Sequence, residues 1–467
     1  MNTKKAQLQD MTEGDVTSLL VRYAIPFILA NLLQMVYNLV DTIIVGQFVG
    51  ATGLTGVSVA GQITVMCTAI TMGLVTGAQI MIAQFIGAKK REDVNYTIGS
   101  MVVYGGGVAV IMSILGIITS RWGLNLIGTP AEAMQEALNY EIIIFIGLTF
   151  NCGYMTASAI LRGMGDSKTP FIFIAVASIC NVILDLLFVG GLKMQAAGAA
   201  LATIISYIIS FLFAVRHIYT HRERFGIDFK LKYFKPRMDL CWTITKLGIP
   251  LALQWIIVSI SGLYVQSMVN GYGIYAAAAV AVGSKAGNLA NTISMAMGQS
   301  CSTMAGQNIS AQKFDRVKKT VRVALIINLT WMAFCIALLE IFPVYFIRIF
   351  NNDANVIEIA VLYLRIVSIS FIPHAAYMVF NGVILGVGNS MLNMLNSLLE
   401  GVILKITLAY IFANIMGLGL TGVFIGNMLA PLGACLCGGI YYYSGMWMRR
   451  KLIAKRDADP EESSNLS

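Results

Sequence analysis

Charge is what this chain has least of. Asp, Glu, Lys and Arg make up 12% of its 467 residues, against a hydrophobic share of 57%, and its mean hydropathy is +0.75. A water-soluble domain cannot cover its surface with so few charged side chains, so a soluble fold is excluded. Catalytic elements are missing too. There is no Gly-x-x-x-x-Gly-Lys-Ser/Thr phosphate loop, no His-Glu-x-x-His pair and no Gly-x-Ser-x-Gly elbow, which excludes an ATPase motor of its own and argues against an enzyme. The eight cysteines (67, 152, 180, 241, 301, 335, 435 and 437) have neither zinc nor redox spacing and read as small buried hydrophobes. Residues 1–18 are too polar for a cleavable leader, and the first apolar run leads directly into many others.

What is present is a series of continuous apolar runs, too long for core helices and matched to bilayer spans of about 20 residues. They do not alternate as barrel strands do. The spacing predicts an all-α integral membrane protein with twelve spans, at 19–48, 54–86, 94–119, 140–161, 169–189, 196–219, 241–270, 276–309, 317–341, 357–385, 392–416 and 418–447. With both termini in the cytoplasm, 26 of the 32 Lys and Arg fall on that side and three outside (Arg121, Lys193, Arg348). That bias predicts the orientation, and it accounts for the +9 net charge without nucleic acid.

The chain also repeats itself at a spacing of 223 to 224. Pro26 answers Pro250, Gln84 answers Gln307, Leu161-Arg-Gly-Met-Gly-Asp-Ser167 answers Ile384-Leu-Gly-Val-Gly-Asn-Ser390, and Gly198 answers Gly422. Each half holds an even number of spans, so the halves share one orientation, a transporter architecture of two parallel six-helix lobes. The expected organisation is a cytoplasmic tail at 1–18, an N-lobe at 19–220, a basic linker at 221–240, a C-lobe at 241–447 and a cytoplasmic tail at 448–467.

Against this apolar background the polar residues stand out. Asp185 lies in Ser178-Ile-Cys-Asn-Val-Ile-Leu-Asp185, roughly 24 Å above the cytoplasmic start of its span. A carboxylate at membrane depth marks an ion or proton path more often than a packing contact. Asn181 shares its helix face. Asp41 on the first span and Thr203 on the sixth reach a similar depth, so three helices converge. Such a group can load and release a proton, or hold a sodium ion at Asp41, Asn181 and Asp185; no other metal site is expected. The C-lobe has no acid at the matching positions Tyr264 and Leu408 and carries Lys285, Arg365, His374, Glu400 and Lys405 instead. Lys285 and Glu400 both fall near mid-membrane, so a buried pair between them is expected, with lobe stabilisation favoured over transport. Gly46-x-x-x-Gly50, Gly73-x-x-x-Gly77 and Gly422-x-x-x-Gly426 read as close helix contacts.

These residues resemble the multidrug and toxic compound extrusion (MATE) transporters over nearly the whole chain. The resemblance rests on Ile25-Pro26 with Val40-Asp41-Thr-Ile-Ile-Val-Gly46, on Ala83-Gln84-Phe-Ile-Gly-Ala-Lys89, on Leu161–Ser167 with Pro170, and on Asn181–Phe188 leading to Gly198–Thr203. It implies a V-shaped, alternating-access exporter of amphipathic or cationic compounds, in exchange for protons or sodium ions, in the cell membrane. It further implies a cation-coupling site at Asp41, Asn181, Asp185 and Thr203, and a bend at Pro26. The seventh and tenth spans lack the acids that some sodium-coupled members carry there, which favours coupling in the N-lobe. No cofactor is expected. The expected partners are small substrates and lipid, with the chain acting as a monomer. The alternatives are a lipid-linked oligosaccharide flippase, for which Lys285, Arg365 and Lys405 would supply cationic character, and a dedicated metabolite exporter.

Overall fold

The computed structural model describes residues 10–455, and the expected tails at 1–9 and 456–467 lie outside that range. Twelve long helices run in chain order: α1 (Val16–Phe48), α2 (Gly50–Gly87), α3 (Arg91–Leu126), α4 (Met134–Gly163), α5 (Lys168–Gly191), α6 (Gln195–Thr220), α7 (Met238–Asn270), α8 (Ile274–Ser310), α9 (Phe314–Ile341), α10 (Ala354–Gly386), α11 (Ser390–Ile415) and α12 (Gly419–Tyr443). Eleven of them are long and apolar enough to cross a bilayer. The exception is α8, which is 37 residues long but rich in small and polar side chains. It is a lobe interior. Ser294, Ser300, Ser302, Thr303, Gln307 and Asn308 are all buried. Ser294 Oγ donates to Asn328 Oδ1 (2.8 Å), and Asn328 Nδ2 donates to the Ala375 carbonyl (3.0 Å). Partners inside the lobe remove the cost of such polarity, so twelve helices form although one fails a hydropathy test.

The helices group into two compact units, Arg22–Ala252 and Leu253 onward, the second joined by Thr12–Val21. In the first, α4 packs along α2 and α6; in the second, α8 packs along α10. The expected linker at 221–240 belongs to the first unit and is not a loose tether. Arg237 reaches Asp93 (3.4 Å) and Asp239 (2.6 Å), and the Asp228 N–H donates to Asn95 Oδ1 (3.0 Å). Gly99 on α3 lies under the Tyr233 carbonyl, where a Cβ would collide.

The sequence repeat is a repeat of hydrogen bonds. The turn after α4 has Gly165 at φ +92°, with Asp166 N–H donating to the Leu161 carbonyl (2.8 Å). The turn after α10 has Gly388 at φ +76°, with Asn389 N–H donating to the Ile384 carbonyl (2.9 Å). Both are left-handed glycine C-caps of the kind that close a helix with a 6→1 bond. Asp166 and Asn389 then cap the next helix through Thr169 N (3.0 Å) and Leu392 N (3.4 Å).

The small shift from 223 to 224 has a physical cause. α5 and α11 both end in π turns, at Leu186–Gly191 and Ile411–Ile415. α11 has a second π segment at Leu399–Leu404, where the corresponding part of α5 is regular α-helix. A π turn accommodates one extra residue. Before it Glu400 answers Ala177; beyond it Lys405 answers Asn181, and the counterpart of Asp185 becomes Ala409 rather than Leu408.

Of the glycine pairs, Gly73 and Gly77 lie against the α7 backbone at Gly248 and Ile244, and Gly422 and Gly426 against α11 at Phe412 and Ala409. Gly46 meets no backbone, and Gly50 sits at φ +81° at the junction of α1 and α2. The first pair is therefore a turn signal and not a packing motif. α1 remains helical through Pro26.

Candidate functional site

α1, α5 and α6 bring the expected N-lobe residues together. Asp185 is fully buried at the last α-helical position before the π turn, Asn181 lies one turn below it, and Thr203 on α6 faces them; all three are under 10% exposed. The Asp41 and Asp185 carboxyls are in side-chain hydrogen-bond contact. Their Oδ1 atoms are buried and accept no bond from any donor among the described residues. The Asn181 amide satisfies its neighbours when Nδ2 donates to Asp185 Oδ2 (2.6 Å) and Oδ1 accepts from the Thr203 N–H (3.1 Å). The Thr203 hydroxyl donates to the Ala199 carbonyl (2.9 Å). Asn181 and Thr203 therefore hold Asp185 in place, and Asp41 is brought to it by α1.

Two carboxyls cannot share a hydrogen bond unless a proton, or a cation, lies between them. With oxygen atoms as the available ligands, the arrangement suits a proton or a hard cation rather than a transition metal. Among the described residues no cluster of three or more His, Cys, Asp and Glu is formed.

Spacing along the helices also supplies a ring of tyrosines that the sequence reading did not single out. Tyr37, one turn below Asp41, is in hydrogen-bond contact with Thr203, and Tyr140 and Tyr207 lie within electrostatic reach of Asp41. The signal was the i, i+4 relation of Tyr37 to Asp41 and of Tyr207 to Thr203. Beside Asn181 and Thr203 opens a narrow recess of about 40 Å³, lined among others by Gln34, Tyr37, Tyr154, Ser178, Ser206 and Tyr207. Aromatic walls with hydroxyl tips present both apolar area and hydrogen-bonding groups to an occupant.

The C-lobe residues are arranged differently from expectation. Glu400 faces His374 at 3.8 Å, not Lys285. Lys285 Nζ lies 5.4 Å from the Phe350 ring centroid, a cation–π contact. Arg365 meets Glu340 at 3.8 Å, and Lys405 lies within electrostatic reach of Glu400. Depth alone had matched Lys285 with Glu400, and depth does not fix which way a side chain faces around its helix.

A family model, MatE, matches residues 26–187 and 250–411, two stretches with the 224-residue offset of the repeat. The chain is 28% identical over 438 residues to the probable multidrug resistance protein YoeA of Bacillus subtilis, covering 92% of this chain and 94% of that protein. It is 24% identical to the probable multidrug resistance protein NorM of Thermotoga maritima, covering 93% and 94%. Its fold matches a MOP superfamily transporter from Pyrococcus furiosus, described as having a binding pocket of reversed polarity, with a TM-score of 0.86 at 22% identity over 97% of this chain and 100% of the other. It also matches an outward-facing multidrug resistance MATE family transporter, with a TM-score of 0.86 at 22% identity over 96% and 99%.

Proposed function

The chain belongs to the MatE family of multidrug efflux transporters, and on that premise we propose that it is a secondary-active antiporter exporting amphipathic or cationic organic compounds in exchange for protons or sodium ions. The observation that carries this reading is the buried contact between Asp41 and Asp185, made by two helices and held by Asn181 and Thr203. A shared proton or cation binds the two helices together; without it, two facing carboxylates repel. Loading and release therefore bias the packing of α1 against α5 and α6. Such a bias is what alternating access needs, because an ion shifts a conformational equilibrium only by its differential affinity for the two states. Pro26, which removes one hydrogen bond from the interior of α1, is where that helix bends. The charge bias of the loops supports a multi-pass protein of the cell membrane with both termini in the cytoplasm.

The flippase alternative needs cations that converge on a phosphate. Arg365, Lys285 and Lys405 are instead engaged with Glu340, the Phe350 ring and the neighbourhood of Glu400. The deciding experiment follows efflux of a fluorescent organic cation from proteoliposomes under an imposed pH or sodium gradient, for wild type and Asp185→Asn. The expected result is gradient-driven efflux that Asp185→Asn abolishes. Efflux that survives the substitution would move coupling away from the N-lobe.

A further inference from the structure

Glu141 belongs to none of the assignments above. It lies on α4 two turns below Met134, is 0% exposed, and neither carboxyl oxygen has a hydrogen-bond partner among the described residues. Its neighbours at i−4 and i+4, Ala137 and Phe145, are also 0% exposed and define the face it occupies. Ala137 packs with Ala60 of α2 and Leu124 of α3, and Phe145 covers Gly116 of α3. Glu141 is thus sealed in the seam of α2, α3 and α4.

The facing surface of α2 carries a second orphan. Thr64 follows Ala60 by one turn and precedes Cys67 by three residues, and its hydroxyl is buried without a partner. The groups around Glu141 offer no counter-charge. On α2, the Cys67 thiol is within electrostatic reach. On α3, the Ser113 and Ser120 hydroxyls donate to the carbonyls of Phe145 and Gly116. On its own helix, Glu136 is turned away to accept from the Ala196 N–H (3.0 Å). Among the described residues no charged side chain contributes to its surroundings. An ionised carboxylate sealed in this way lacks any compensating partner, and even the neutral acid leaves an O–H unmatched. The closed seam therefore leaves two polar groups unsatisfied on facing helices, and entry of water would satisfy both.

We propose that Glu141 is a second proton-binding site of the N-lobe, separate from Asp41 and Asp185, that holds its proton while the seam of α2, α3 and α4 is closed and yields it when the seam opens. The release step rests on the antiport reading above; the proton-holding step does not.

Infrared spectroscopy and proton counting test the two steps apart. A carboxylic-acid carbonyl absorption at neutral pH is expected to persist in the double variant Asp41→Asn/Asp185→Asn and to vanish when Glu141→Gln is added. Adding ethidium to weakly buffered, detergent-solubilised protein is expected to release about one proton fewer per molecule from Glu141→Gln than from wild type. Should Glu141→Gln fail to fold, Glu141→Asp serves: the absorption must move in frequency. The proposal is overturned by a folded double variant without that absorption, by an absorption unmoved in the Glu141 variants, or, where wild type releases protons, by an equal release from Glu141→Gln. An absorption assigned to Glu141, with no proton release from wild type itself, would support the site while sinking proton antiport.

Discussion

At matching places in its two repeats the chain sets opposite chemistry. In the N-lobe, α5 carries Asn181 and Asp185, and α1 brings a second acid to them. In the C-lobe, the counterparts on α11 are Lys405 and Ala409, and the one nearby acid, Glu400, rides on an extra π turn and faces a histidine. The first cluster juxtaposes like charges and is satisfied only by an ion from outside the protein. The second sets Glu400 beside His374 and within electrostatic reach of Lys405, partners that belong to the protein itself. On the proposed reading, the two facing carboxyls make a site, whereas Glu400 with its histidine and lysine makes a brace.

The strongest way to break this contrast is to remove one carboxyl. Asp185→Asn is expected to abolish gradient-driven efflux, a loss of at least the roughly 10- to 100-fold that a buried hydrogen bond to a charged group contributes. Glu400→Gln under the same gradient is expected to stay within about threefold of wild type. If the ranking of the two reverses, the brace and the site have been misassigned.

A packing test comes next. Gly426→Ala places a methyl on the α11 backbone at Ala409, whereas Gly46→Ala meets nothing nearer than the tip of Leu54. Overpacking at Gly426 is expected to cost about 1–3 kcal/mol, read as a lower melting temperature in detergent. Gly46→Ala is expected to be neutral or stabilising by up to about 1 kcal/mol, since alanine favours helix. Equal losses would mean that the α1 glycine also packs against backbone.

These contrasts also mark where the sequence stopped being legible. The repeat, the helix positions and the meeting of Asp41, Asn181, Asp185 and Thr203 followed from spacing and depth, because helix rise converts residue count into height. Rotation about the axis is less secure. One inserted residue advances every later side chain by about 100°, so the π segment at Leu399–Leu404 resets Lys405 and Ala409 against Asn181 and Asp185; Glu400 lies ahead of that insertion, and height alone did not tell that it faces His374 rather than Lys285. Glu141 escaped notice because α4 was expected to begin at 140, where an acid reads as interfacial; the helix begins at Met134 and puts it inside. The polarity of α8 was likewise visible in the sequence, but its satisfaction by Asn328 was not.

A finer test sharpens the N-lobe side. Thr203→Val keeps the shape and removes the hydroxyl that contacts Tyr37 and donates to Ala199. The carboxyls remain, so the site should weaken without failing: about a fivefold rise in the ion concentration for half-maximal efflux, from the loss of about 1 kcal/mol. No change would mean that the Thr203 N–H, which donates to Asn181 in the same arrangement, is the part of this residue that counts.

The smallest expected effect lies in the C-lobe. His374 and Glu400 are about one-fifth exposed on their side chains and 3.8 Å apart, too long and too wet for a strong charge-assisted bond. Screening limits such a pair to about 1 kcal/mol or less. His374→Gln should therefore lower the melting temperature slightly and leave the pH profile of efflux where it was. Glu400→Gln should do the same, and the double variant should lose less than the two single losses added, because both remove one contact. A pH profile that shifts in His374→Gln while Asp185 is intact would mean that the C-lobe pair takes up a proton during transport. The brace would then have become a second site, and the contrast between the repeats would be one of affinity rather than of kind.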